Sequence, residues 1–258
     1  MSDWNAERYH DLSSPQQAWG RRVLERLPLS GNEHVLDLGC GTGRITREIY
    51  SRLPHGFLVA ADRSDAMVET AAAWLREHAP GAAVVQADGA ALPFRRALDA
   101  VFSTATFHWI LDHSKLFRSI ITALKPGGRL VAQCGGGANL ATLRGRADRL
   151  RREHRWSPYF DEWTEPWYYA DVESTRRRLA SAGFEDIDVS LEEAPTPFSG
   201  AEIFQEFVAT VCVRPYLDRL PVRERKPFLT ELTMAAAADS PAFTLDYWRL
   251  NISARRPA

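Results

Sequence analysis

Three acidic residues stand out by their positions. Asp37 opens the run Asp37-Leu38-Gly39-Cys40-Gly41-Thr42-Gly43, and Asp62 and Asp88 follow later apolar runs. A glycine-rich turn between a strand and a helix lets a ligand approach the backbone, because glycine accepts positive φ and carries no Cβ. A carboxylate at the next strand end can accept from both hydroxyls of a ribose. Charge-assisted bonds of this kind contribute roughly 1.5–3 kcal/mol each. A third carboxylate, one strand further on, can accept from an adenine amino group. A dinucleotide site would use Gly-x-Gly-x-x-Gly and set a pyrophosphate on the helix N-terminus. Here the glycines fall at every second position, which suits a ligand without phosphate. Each aspartate alone could be a turn or cap residue. Three of them at successive strand ends point to one site.

A second group of residues could handle an acceptor molecule. His108, in Phe107-His108-Trp109-Ile110, is the candidate catalytic residue. With an ordinary pKa of ~6.5 it can act as a base, as a hydrogen-bonding orienter of a carboxylate, or as a packed group under the ligand. Trp109 offers a pocket wall and an indole N–H donor. Gln16 could donate to a substrate carboxylate, and Tyr9 could close over the ligand. Trp163 belongs to a dense aromatic segment that runs from Trp156 to Tyr169. That segment reads as a lid over a partly apolar substrate, or as packing of the lid itself. The arginines between Arg144 and Arg155 read as a solvated helix face. His113 is expected to cap the helix that follows it.

These residues need a frame. Apolar runs predict strands at His34–Leu38, Phe57–Ala61, Ala82–Gln86, Leu98–Phe102 and Arg129–Cys134. Helical spacing of apolar residues intervenes, with Ser64 as a predicted N-cap and Pro126-Gly127-Gly128 as a stop. Later come a helix over Val172–Gly183, a strand over Phe184–Leu191 and a final strand over Phe243–Ser253. Strands alternating with helices imply an α/β fold with a doubly wound, mostly parallel sheet. A helical segment over about 1–30 precedes a ligand-binding core over about 31–134. Two stretches, about 136–168 and 195–242, break the alternation and read as insertions covering the ligand edge, the second holding a helix over Ala201–Cys212. The whole chain, 1–258, reads as one domain.

The constellation resembles the class I S-adenosylmethionine-dependent methyltransferases. Asp37 to Gly43 matches their glycine motif, Asp62 the ribose acid, Asp88 the adenine acid, and Leu124-Lys125-Pro126-Gly127-Gly128 the loop before their fifth strand. The resemblance implies a Rossmann-like, seven-stranded sheet and S-adenosyl-L-methionine as cofactor. It places Gly39 and Gly41 by the methionine part and Met67 on the adenine. Arg63 and Ala90 line the same pocket, with Gly89 and Thr104 beside them. Within the family the chain is similar to the trans-aconitate methyltransferases and related small-molecule carboxyl methyltransferases. The matching places are Asp3-Trp4-Asn5 with Tyr9, Pro15-Gln16-Gln17 with Trp19, Phe107 to Ile110 with Asp112-His113, and Gln133.

Bulk properties narrow the partners. The 258 residues carry a formal net charge of −1, which gives no global drive toward nucleic acid or anionic membrane. No apolar run reaches the ~20 residues of a membrane span. The first residues lack the basic and apolar pattern of a signal peptide. Three separated cysteines suggest neither a disulfide framework nor a zinc site, and fit a reducing cytoplasm. A monomer or small homo-oligomer acting on a small molecule is expected, with no metal. Methyl transfer to a carboxylate oxygen leads. Transfer to a hydroxyl, nitrogen or carbon with His108 as base, and a non-catalytic cofactor-binding regulator, are the alternatives.

Overall fold

The structure, a computed structural model, describes residues 14–258, with side chains from Gln17 onward. Seven strands form the main sheet: β1 His34–Leu38, β2 Phe57–Asp62, β3 Ala83–Gln86, β4 Leu98–Thr104, β5 Leu124–Gly135, β6 Glu185–Glu193 and β7 Trp248–Arg255. Their spatial order is β3-β2-β1-β4-β5-β7-β6. All pairings from β3 to β5 are parallel, and β7 runs antiparallel to both its neighbours. The order reverses between β1 and β4, and ligands of open α/β sheets bind at such a switch, beyond the carboxyl ends of the strands.

Helices α1 Ser14–Glu25, α2 Arg44–Tyr50, α3 Asp65–His78, α4 His113–Ala123 and α6 Val172–Ala182 flank the sheet. The local signals in α4 show why it forms. Leu116, Phe117, Ile120 and Ala123 make one buried stripe, and the Asp112 side chain accepts from the Lys115 N–H to cap the first turn. So Asp112, and not His113, is the cap. His113 is buried instead, with Nε2 3.0 Å from the Phe107 carbonyl oxygen. Ser64 caps α3 as expected, accepting from the Met67 N–H, and Gly183 ends α6 at φ 97°.

Two boundaries differ from the sequence reading. Pairing of β5 begins at Leu124, before the Pro-Gly-Gly stop, with a register irregularity against β4. The final strand begins at Trp248; Thr244–Leu245 pairs instead with Thr196–Pro197 in a two-stranded sheet.

The two inserted stretches share one hydrophobic cluster. The first carries α5 Ala141–Leu150. The second carries α7 Ala201–Phe207, which runs into a π turn at Val208–Cys212, then α8 Arg214–Arg219 and α9 Val222–Ala237. Trp156, Phe160, Trp167, Phe204, Tyr216 and Phe228 are buried in this cluster, which is distinct from the cores against the sheet. The arginines here are not a purely solvated face. Arg144 pairs with Glu165, Arg146 with Asp239, and Arg155 with Glu224; Arg149 and Arg152 are exposed. The first two pairs are part-buried, and those of Arg146 and Arg155 tie the first insertion to the second.

Candidate cofactor and acceptor site

The turn after β1 is built from glycine for two different reasons. Gly39 has φ +75°, and a Cβ there would lie 2.0 Å from the Thr106 Oγ1. The Thr106 hydroxyl lies 2.9 Å from the Thr104 carbonyl oxygen and 3.2 Å from that of Gly39, which locks the loop after β4 against the turn after β1. Gly41 has φ +55°, but a Cβ there would meet nothing within 4 Å. Its face is open space. The glycine conformations also turn backbone N–H groups toward that edge. Gly41 donates to Asp62 Oδ2 at 3.0 Å, and Ser64 donates to Asp62 Oδ1 at 3.0 Å. Both carboxylate oxygens are thereby aimed, and each keeps a lone pair for a ligand. Burial pushes the Asp62 carboxyl above its ordinary value, against the opposing pull of these N–H groups.

Asp37 has a partner within the fold. Thr46 of α2 donates to its Oδ2 at 2.6 Å, joining strand and helix behind the glycine turn. Burial pushes the Asp37 carboxyl up to about 7; the Thr46 bond opposes this, and the Asp62 charge adds to it. A carboxyl raised in the folded state binds more protons there than in the unfolded chain. Its contribution is therefore present below pH ~4 and lost as pH rises toward about 7. Asp37→Asn keeps an acceptor for Thr46 and removes the titration. Melting curves are expected to show that the variant loses less stability than the parent between pH 4 and 7, by at most about 4 kcal/mol. An identical pH slope in both proteins would refute that role.

The other residues named for the cofactor lie along the same edge. Met67 is buried in the first turn of α3. The Arg63 carbonyl accepts from Gln86 Nε2 at 3.2 Å, and the Asp62 carbonyl from the Ala87 N–H at 2.9 Å, so the ends of β2 and β3 are tied together. Asp88 is exposed and uses Oδ1 to accept from the Ala90 N–H at 2.9 Å. Its capping role therefore engages one oxygen only. Gly89 is buried, and a Cβ there would lie 2.9 Å from Ile110 Cδ1, which brings the end of β3 against the His108 loop. The structure thus gathers Asp37, Gly39, Gly41, Asp62, Arg63, Met67, Asp88, Gly89, Ala90 and Thr104 at the carboxyl ends of β1 to β4. The open face over Gly41 and the aimed carboxylate of Asp62 fit a nucleoside ligand with ribose hydroxyls. Tyr9 and the Gln16 side chain lie outside the described residues.

His108 and Trp109, the residues read as handling an acceptor, line a small cavity of ≈ 40 Å³ with Asn139, Tyr169, Tyr247 and Arg249, among others. His108 sits on the short helical turn after β4, 8% exposed. Its Nδ1 accepts from the Gly135 N–H at 3.3 Å, and its ring stacks on Tyr169 with centroids 5.5 Å apart. A ring that accepts at Nδ1 while neutral carries its proton on Nε2. Burial, with the charges of Arg249 and His113, holds the His108 imidazole down at about 3, so the ring is neutral at pH 7.

Arg249 was not identifiable from the sequence alone. It is 3% exposed in β7. Its Nε donates to Gln133 Oε1 at 3.4 Å, and its guanidinium lies 4.5 Å from the Trp19 ring centroid. Gln133 is held in turn by Asn251, so a polar row on β5 and β7 orients the cation. Asn139 hydrogen-bonds the Tyr169 hydroxyl. Trp163 is placed elsewhere. It stacks on Tyr216 at 4.8 Å, within the cluster of the insertions, and is not on the cavity wall.

The sheet order, the glycine turn and the acidic strand ends together define a class I methyltransferase fold. Residues 35–128 match the family described as a methyltransferase domain. The chain is 30% identical over 262 residues to trans-aconitate 2-methyltransferase of Shigella dysenteriae serotype 1, covering 99% of each chain. It is 30% identical over 274 residues to the enzyme of the same name from Paracidovorax citrulli, covering 100% of each. It also superposes on phosphoethanolamine N-methyltransferase 2 of Haemonchus contortus, bound to S-adenosylhomocysteine, with a TM-score of 0.64 at 19% identity, covering 98% of this chain and 57% of that one. The chain belongs to the S-adenosylmethionine-dependent methyltransferases, and it is an enzyme that uses this cofactor.

Proposed function

We propose that the protein methylates a carboxylate oxygen of a small organic acid. The observation that carries this reading is the buried cation Arg249 lining one cavity with the neutral imidazole of His108. A guanidinium fork fits a carboxylate, and the bond from Arg249 Nε to Gln133 already fixes its orientation. The cavity has room for a carboxylate group rather than a whole substrate, so the remainder of the acid lies toward the cofactor edge.

When bound, the cofactor supplies an activated methyl group. Gly39, Gly41 and Asp62 would hold it, with Met67 and Asp88 at the adenine side. The protein's own task is alignment, which can supply roughly 7–11 kcal/mol of the barrier. A carboxylate is ionised at neutral pH and needs no base. His108 then serves as a donor, since Gly135 engages its Nδ1 and its proton sits on Nε2. The aromatic insertions, with Trp109 against Trp167, shield the acceptor from water. The similarity to trans-aconitate methyltransferases supports the same acceptor class.

The test is incubation with labelled S-adenosylmethionine and panels of organic acids, phenols and amines. Base-labile methyl esters are expected. A label stable to base would shift the acceptor to a hydroxyl, nitrogen or carbon. His108→Gln keeps an N–H donor and is expected to retain turnover within about tenfold. A loss of several hundredfold in kcat with unchanged KM would instead mark a base.

A further inference from the structure

Methyl transfer makes no use of the groove between α4 and α6. This groove, of ≈ 330 Å³, is lined by Ser114 and Arg118 of α4 and by Ser174, Arg177, Arg178 and Ser181 of α6. Arg118 is exposed, and its side chain has no partner among the described residues. Arg177 lies 3.9 Å from Glu173, with both side chains largely exposed, and its charge also acts on Asp171. Arg178 donates from Nη2 to the Tyr168 hydroxyl at 2.9 Å and lies over that ring, while its Nη1 is shut off from solvent with no acceptor. Asp112 and Asp171 cap the two helices, and Asp171 also accepts from the Ser174 hydroxyl at 2.8 Å. Three arginines therefore line the two walls, with the carboxylates of Glu173 and Asp171 acting on Arg177 alone.

Guanidinium forks on two sides suit an anion with acceptor oxygens in several directions. A planar carboxylate would satisfy one fork, whereas a tetrahedral phosphate can meet two or three along with the Ser114 and Ser181 hydroxyls. The groove is also larger than one phosphate. We propose that it binds the phosphate group of a small phosphorylated molecule. This inference does not depend on the identity of the methyl acceptor.

Calorimetric titration of the full chain with inorganic phosphate and with pyrophosphate, at constant ionic strength in sodium chloride, tests it. Saturable binding is expected, tighter for pyrophosphate. Arg118→Ser touches no partner and should leave the fold intact; it is expected to weaken binding about tenfold, and Arg178→Gln by more. Unchanged affinity in both variants overturns the proposal. So does binding that chloride abolishes at equal ionic strength, or that Arg249→Met removes while Arg118→Ser does not, since phosphate would then sit in the acceptor cavity.

Discussion

Asp62→Ala is expected to weaken S-adenosylmethionine binding by about a hundredfold. Two charge-assisted bonds to ribose hydroxyls, at roughly 1.5–3 kcal/mol each, set an upper range; solvation of the freed hydroxyls brings the loss to about 3 kcal/mol. The structure adds a second reason. Asp62 accepts from the Gly41 and Ser64 N–H groups, so its removal also releases the glycine turn on which the ligand would lie. Asp62→Asn separates the two contributions. It retains an oxygen for one N–H but lacks the charge, and should fall between parent and alanine variant. Calorimetric titration with S-adenosylmethionine gives the affinities, and melting curves show whether both variants remain folded. Affinity unchanged in a folded Asp62→Ala protein would remove this carboxylate from the cofactor site.

The elements that carry the candidate cofactor residues were legible in the sequence because their signals are local. The strand His34–Leu38 and the turn that follows are specified by neighbouring residues: apolar side chains that must be buried, then glycines that accept positive φ. Asp62 and Asp88 lie just beyond short apolar runs, so their places at strand ends could be counted off. The acceptor half depends on contacts distant in sequence. Arg249 lies in Trp248-Arg249-Leu250-Asn251-Ile252, whose alternation reads as a half-exposed strand. In the fold that strand lies between β5 and β6, with Trp19 of α1 against Arg249 and Arg26 donating to Asn251, and both residues are buried. An arginine and an asparagine on one face of an interior strand were the available signal, but only sheet order gives it meaning. The arginines between Arg144 and Arg155 were misjudged for the same reason. Glu165, Asp239 and Glu224 are 21, 93 and 69 residues from their partners. The final strand was begun too early because Phe243-Thr244-Leu245 has strand-like residues, although its partner is Thr196–Pro197.

Arg249→Met should raise KM for the acid substrate by about a hundredfold while leaving cofactor affinity within a fewfold of the parent. A bidentate guanidinium–carboxylate contact contributes on the order of 3 kcal/mol, and methionine offers no donor. The fold should tolerate the change. Replacing a buried charge with an apolar side chain of similar length is often neutral or stabilising, although the contact with Trp19 is lost. Arg249→Lys should lie between the two, since an ammonium keeps the charge but not the fork. The same variant has a second readout. Arg249 is the second cause, after burial, of the low His108 pKa. Without it the ring should titrate above its present value of about 3, but still below 6.5, because burial remains. A histidine depressed in the folded state stabilises above its unfolded pKa, and that contribution is lost as pH falls from about 6.5 toward 3. Arg249→Met should therefore lose less stability than the parent in that window, measured by melting curves, and its ring resonances should titrate higher by NMR. A raised KM together with a raised His108 pKa would place the cation beside both ring and substrate. A raised pKa with unchanged KM would leave Arg249 as a neighbour of His108 only, and the carboxylate would have to be held by other groups.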